Sequence, residues 1–435
     1  MSFEGILILL VFFIFAGLMI SRKLPTILAL PLMGITIAVI VGIPFKDIIN
    51  DVIMAGSVKL TSSIVVVIFG SMFARVIMKT GISDSIIKKA AELAGDKPIP
   101  IAITLTTAIA FVFLGMNGLG AVIMIGSIAL PIMTSVGIKP LVAGSLLLLG
   151  MQTGLAANAG NYGTQIGIFG GGTISLFYIP ALVISGIITL IFIFVNVKPN
   201  KERSTWALPN TANLTKKNNK VPSIALLAPL IPLIVIIIFK SIWDFGAADK
   251  GMINAVGASI FGFILASFYA IVVTKPKRMI NIFSGAIVEG IQDVAGVIFL
   301  FIGIGILVAV VFNPLVSSIL NPIIKSIMPA GKIGFLLFFA ILSPLALYRG
   351  PLNMFGMGAG IAALMVSLNV ISVEALAGAF IALQYVQAIS DPTNSHNVWI
   401  ADYLQEETSA LLKKTFPYSW AMVVCMLIFT VFTKF

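Results

Sequence analysis

Apolar residues run almost unbroken through 5–20, 25–43, 60–78, 99–135, 140–167 and 173–197, then through 222–240, 252–273, 286–312, 333–369, 372–403 and 416–433. Lysine and arginine collect in the gaps. A helix needs about 20 apolar residues to cross the roughly 30 Å hydrocarbon core of a bilayer, and only helices or closed barrels satisfy their backbone there. The pattern therefore restricts the chain to an all-α polytopic membrane protein. Composition agrees: of 435 residues, 59% are hydrophobic and 10% charged, with mean hydropathy +1.12, too apolar for a wet surface. No small-residue cleavage site separates the first run from the second, so the first is read as a retained span.

The net charge of +11 does not point to nucleic acid, because the basic residues sit between apolar runs without an aromatic-basic surface. The stretch 198–221 carries Lys198, Lys201, Arg203, Lys216, Lys217 and Lys220 against Glu202 alone, and reads as a cytoplasmic linker. With the linker inside, Ser21-Arg22-Lys23, the Arg75 to Lys97 segment, Lys139, Lys275 to Arg278 and Lys413-Lys414 all fall inside only if 99–135 and 333–369 are re-entrant hairpins. Both termini then fall outside, in a multi-pass protein of the plasma (cytoplasmic) membrane.

Residues 1–197 and 222–435 share one plan: three spans, a hairpin and two spans, the first of these two broken. Each half makes an odd number of crossings, so the halves are expected to be inverted repeats. At a spacing of 232, Gly118, Gly126, Met133 and Ser135 meet Gly350, Gly358, Met365 and Ser367. Between the third span and the first hairpin, Gly81 to Pro98 has apolar residues at helical spacing and charges opposite, a helix lying in the interface. Asn313 to Gly331 holds the equivalent place.

Four places combine a helix break with polar residues at membrane depth: the tips Gly115 to Gly120 and Tyr348 to Asn353, and the breaks Ala156 to Gln165 and Ser390 to Asn397. Backbone freed there must line a cavity or bind something. Half-helix N-termini favour anions, and carbonyls with a carboxylate favour cations. Arg349 is the only charge between Lys332 and Glu374. An unpaired cation at depth costs about 3 kcal/mol or more, so it marks an anion site unless it pairs with Asp391 or snorkels from a loop. Asp391 is open to three roles: holding Na⁺ with Asn394 and Ser395, carrying a proton, or neutralising Arg349. His396 either titrates or is a hydrogen-bonded structural residue. Glu289 and Asp293 read as a solvated helix end, or as a vestibule pair.

Enzyme chemistry is not expected. Gly170-Gly171-Gly172 lacks the Lys-Ser/Thr of a phosphate loop, and no nucleophile stands at useful spacing from a base. A single cysteine, Cys425, and a single histidine exclude a disulfide and any multi-cysteine or multi-histidine metal site.

FARVIMKTGISDSIIKKAAELAGDKP with the following hairpin, MTSVGIKPLVAGSLLLLG, DPTNSHNVWIADYL and KKTFPYSW resemble the ion transporter superfamily, most closely its citrate-metal and gluconate permease branches. The resemblance covers nearly the whole chain. It implies a homodimer in which an elevator-type transport domain, made of the hairpins and broken helices, moves against a fixed scaffold. It also implies substrate contacts at Asn117, Gly118, Asn158, Asn161, Thr164, Arg349, Gly350, Asn353, Thr393, Asn394 and Ser395. Ion coupling would fall to Asp391 and His396, with no bound cofactor beyond Na⁺ near Asn158, Asp391 and Asn394. Citrate-metal permeases carry acidic residues near both tips, where this chain has Met116-Asn117 and Tyr348-Arg349, so a metal-free carboxylate or sugar acid is expected.

The leading expectation is H⁺- or Na⁺-coupled transport of a small organic anion, with membrane lipid as surroundings. The alternatives are a Na⁺/H⁺ antiporter built on Asp391, an amino-acid permease of the same superfamily, and, more remotely, a channel or membrane scaffold.

Overall fold

The computed structural model describes residues 3–21, 23–198, 221–243, 255–327, 331–367 and 371–435. Arg22 and 199–220, the body of the expected linker, lie outside the described residues. Among the described residues all regular structure is helical, with eight helices long and apolar enough to cross a membrane, or nine if one bent pair counts as a span. The chain is a multi-pass membrane protein.

The first half runs α1 (Phe3–Ile20), α2 (Thr26–Ile40), α3 (Thr61–Thr80), α4 (Ile82–Ala94), α5 (Pro98–Phe113), α6 (Leu119–Ser135), α7 (Pro140–Leu155), α8 (Gly163–Phe169) and α9 (Tyr178–Asn196). The second runs α10 (Ile231–Trp243), α11 (Ala255–Thr274), α12 (Met279–Val311), α13 (Pro314–Ile327), α14 (Gly331–Leu342), α15 (Gly358–Ser367), α16 (Val373–Tyr385), α17 (Ser395–Leu404) and α18 (Thr408–Thr433). The order of elements repeats: a short amphipathic helix follows each third span (α4, α13), then a hairpin (α5 with α6, α14 with α15), a broken helix (α7 with α8, α16 with α17) and a final span.

Local sequence sets the joints. Pro98 and Pro140 open α5 and α7 at the first helical turn, where a missing N–H costs nothing. Gly81 closes α3 in the left-handed conformation at φ 77°. In α4, Ile82, Ile86 and Ile87 are buried on one face, as expected for an interfacial helix. The halves interlock through their second and third spans: α12 packs on α2 and α3, and α3 on α11. Contact is closest where a Cβ on Gly305 of α12 would stand 2.2 Å from the Gly56 carbonyl oxygen, so only a bare backbone fits.

Three details depart from the expected spans. The long helix starts at Met279, not near 286, so Glu289 and Asp293 lie inside it and do not mark its end. The segment before α3 is helical from Phe45, making one candidate span of Phe45–Thr80. The two tips differ: α6 begins directly after Gly118, whereas the second hairpin passes through a 3-10 turn (Ser343–Arg349) and resumes only at Gly358.

Candidate functional site

The first break bends α7 against the following helix by 88°, and the second leaves α16 through a π turn, Val386–Ser390. Each break strands carbonyls at a helix C-terminus, which hydrocarbon cannot solvate. Polar side chains just downstream cap them. In the second break, Asn394 Nδ2 donates to the Gln387 carbonyl (2.6 Å), Asn397 Nδ2 to that of Ile389 (2.9 Å), and His396 Nε2 lies 2.9 Å from that of Ala388. A carbonyl only accepts, so His396 carries its proton on Nε2 and leaves Nδ1 uncommitted. In the first break, Asn161 Nδ2 and Tyr162 Oη donate to the carbonyls of Leu155 and Ala156. The polar run that marks each site in sequence is thus first a set of caps.

The amides have second ends, and those facing open space define what a ligand meets. A cavity of about 590 Å³ lies between α3, α12, the first tip and both breaks. Asn117, Gly118, Asn158, Asn161, Asn394, Ser395 and His396 all line it. Asn158 is fully spent: its Nδ2 donates to the carbonyls of Phe113 and Met116, both at 3.0 Å, and its Oδ1 accepts from Gly160 N, tying the first tip to the break. Asn161 and Asn394 keep their Oδ1 atoms, and Asn117, whose Oδ1 accepts from Gly118 N, keeps its Nδ2. The N-termini of α6 and α17 also open here, at Leu119, Gly120 and Ser395, each with free N–H groups and a positive dipole end.

A second cavity of about 670 Å³, between α1, α2, α12 and the second tip, is lined by Tyr348, Arg349 and Thr393. Arg349 therefore does not share the first cavity with the amides. Asp293 and Val297 line both. Gly350, Asn353, Thr164 and Asp391 line neither. Asn353 is consumed within its own turn, donating to Ala346 O and accepting from Phe355 N. Gly350 admits no side chain, since a Cβ would stand 2.3 Å from the Leu345 carbonyl. Thr164 is buried with its hydroxyl unpartnered. Asp391 is fully buried and accepts from Thr393 N (2.9 Å), Thr393 Oγ1 (2.7 Å) and Arg349 N (3.3 Å).

Sequence reading passed over Gln384, Gln387 and the role of Asp293. Gln384 accepts from Gln165 Nε2 (2.9 Å) and donates to Asn161 O (3.4 Å), joining the two breaks. Their signal is present: two glutamines three apart in the apolar run 372–403 belong on one helix face. Asp293 is held by a two-pronged contact from Arg75, and Glu289 pairs with Lys79 at 2.6 Å, so α3 and α12 are joined by charge in place of the expected solvated end.

The fold is that of a multi-pass helical membrane protein with two cavities at its helix breaks and hairpin tips. No family model matches the chain. It is 27% identical over 184 residues to the uncharacterized transporter YraO of Bacillus subtilis, 41% of either chain. It is 24% identical over 147 residues, 34% of either chain, to the Mg(2+)/citrate complex secondary transporter of the same organism. The matched segments thus span well under half the length of these relatives. Among solved structures, the Alcanivorax borkumensis YdaH transporter aligns with TM-score 0.60 over 89% of this chain and 87% of its own, at 15% identity. Neisseria gonorrhoeae MtrF aligns at 0.52 over 89% and 82%, at 14% identity. The resemblance to ion transporters agrees with all four.

Proposed function

We propose that the chain is a secondary transporter of a small organic anion, driven by a proton or Na⁺ gradient. The observation that carries this reading is the convergence of two helix N-termini and both helix breaks on one cavity whose polar lining is mostly amide and hydroxyl groups, with Asp293 its one carboxylate and no lysine or arginine among its described lining residues. Such a cavity favours a carboxylate through N–H donors and leaves the Asn161 and Asn394 oxygens for hydroxyl groups. The likeness to a protein named for a Mg(2+)/citrate complex supports a carboxylate cargo. The lining offers one carboxylate, Asp293, already paired with Arg75, which favours a metal-free anion.

In this reading α1 to α3 and α10 to α12 form the scaffold, and the hairpins with the broken helices begun by α7 and α16, and with α9 and α18, move against it as an elevator in a homodimer. The titratable groups reaching the cavity are His396 and Asp293. A proton is therefore the favoured coupling ion over Na⁺ held near Asn158, Asp391 and Asn394. An antiporter working through Asp391 would need that carboxylate to face water, and it is fully buried.

The test is uptake of labelled carboxylates and sugar acids into proteoliposomes under imposed pH or Na⁺ gradients. Uptake driven by an inward proton gradient and indifferent to Na⁺ is expected. Proton flux coupled to Na⁺ without any organic cargo would move the assignment to an antiporter.

A further inference from the structure

Gln387 occupies a position that no other side chain in the cavity shares. It sits in the π turn that ends α16, is 3% exposed and lines the first cavity. Its Oε1 accepts from the main-chain N–H of Met354, 2.9 Å away in the second hairpin. That contact fixes the amide's orientation, because an N–H faces only an acceptor; the Nε2 group must then point elsewhere. Nε2 has no protein partner among the described residues, yet it is not one of the sealed, unpartnered atoms, so it retains accessible surface. An amide whose two N–H bonds are unspent in a ligand-sized cavity is a preformed donor. The neighbouring Gln384 has no such freedom, since both ends of its amide are engaged.

We infer that Gln387 reads the anion in the first cavity through Nε2 and, through Oε1, transmits its presence to the second hairpin. The inference rests on the transport reading above. Among the described residues the second hairpin contributes Tyr348 and Arg349 to the other cavity and Phe355 alone to this one. Its tip region has, among the described residues, two side-chain anchors on the α16 break, Met354 N on Gln387 and Arg349 N on Asp391. A ligand that orders the Gln387 amide therefore steadies one of the two. In an elevator this is the link needed: cargo bound against the first tip must also secure the second before the domain moves.

The test uses the full-length protein in detergent with citrate and gluconate as separate probes, and two variants. Gln387→Glu, assayed at mildly alkaline pH, keeps the acceptor for Met354 but replaces the donor with a charge that repels anions. Gln387→Met removes both. In the wild type, the effective probe should raise the melting temperature and slow amide exchange across 345–358. In Gln387→Glu, probe affinity should fall at least tenfold while ligand-free exchange at Met354 stays near wild type. In Gln387→Met, both should be lost. A purely structural glutamine predicts another order, with Gln387→Glu binding within twofold of wild type, and that result overturns the inference alone. Failure of both probes to bind wild type overturns the transport reading, and the inference falls with it.

Discussion

The Asp391 carboxylate holds Arg349 by its main chain, accepting the Arg349 N–H at 3.3 Å, and the two side chains form no ion pair. Tyr348 and Arg349 both adopt left-handed backbone, at φ 55° and 54°, a conformation that costs non-glycine residues about 1–3 kcal/mol at functional sites. Asp391 anchors that turn to the α16 break and leaves the guanidinium in the second cavity.

Replacement of Asp391 by asparagine should accordingly loosen the second tip. Asp391 uses both oxygens, one toward Thr393 and one toward Arg349. An amide offers one oxygen, so in either orientation an N–H faces an N–H, at a cost of about 1–3 kcal/mol. Hydrogen exchange should accelerate across 345–358 and remain slow in α7 and α9. An unchanged tip would mean the carboxylate is not its anchor.

Arg349 is solvent-exposed in a cavity separate from the amides. A cation so placed attracts anions over a screening length of about 8 Å at physiological ionic strength. Arg349→Ala should lower uptake at low salt severalfold, with the deficit shrinking as salt rises. Loss of carboxylate binding at every salt concentration would place the guanidinium on the cargo itself.

Much of this layout is legible in the sequence because hydrocarbon enforces it. Apolar runs and the amphipathic spacing from Ile82 to Ala94 leave few stable alternatives in a bilayer. The breaks were legible too, through Asn-Ala-Gly-Asn and Asp-Pro-Thr-Asn-Ser-His. What their side chains do was not: Asn394, His396 and Asn397 cap carbonyls seven or eight residues upstream, and which atom remains free depends on the π turn. Likewise Arg75 meets Asp293 only because α3 and α12 cross, a contact spanning the two halves that no local pattern encodes.

That crossing gives a direct energetic test. The Arg75 and Asp293 side chains are 26% and 38% exposed, so their coupling should lie near 1 kcal/mol, well below the roughly 3–5 kcal/mol lost when one partner of a buried pair is removed. Arg75→Met and Asp293→Asn should each destabilise the protein, and the double variant should be more stable than the sum of the two predicts. Strict additivity in thermal unfolding would show that the pair contributes nothing measurable.

The last prediction concerns pH and α4, which lies outside the spans. Burial raises the Asp84 carboxyl above its usual 3.8, opposed by the nearby Lys88 charge, and its Oδ1 is sealed without a partner. The folded protein therefore holds this proton to higher pH than the unfolded chain does. The associated stability is fully present below the usual carboxylate value and is lost as pH rises through the raised one. Asparagine mimics the protonated side chain in size and neutrality at every pH. Asp84→Asn should consequently melt at the same temperature as wild type near pH 4 and above it near pH 7, the gap opening between those values and then staying constant. Melting curves of both proteins in one detergent across that range decide it. A wild type as stable as the variant at neutral pH would mean that the charged carboxylate is compensated in the folded state.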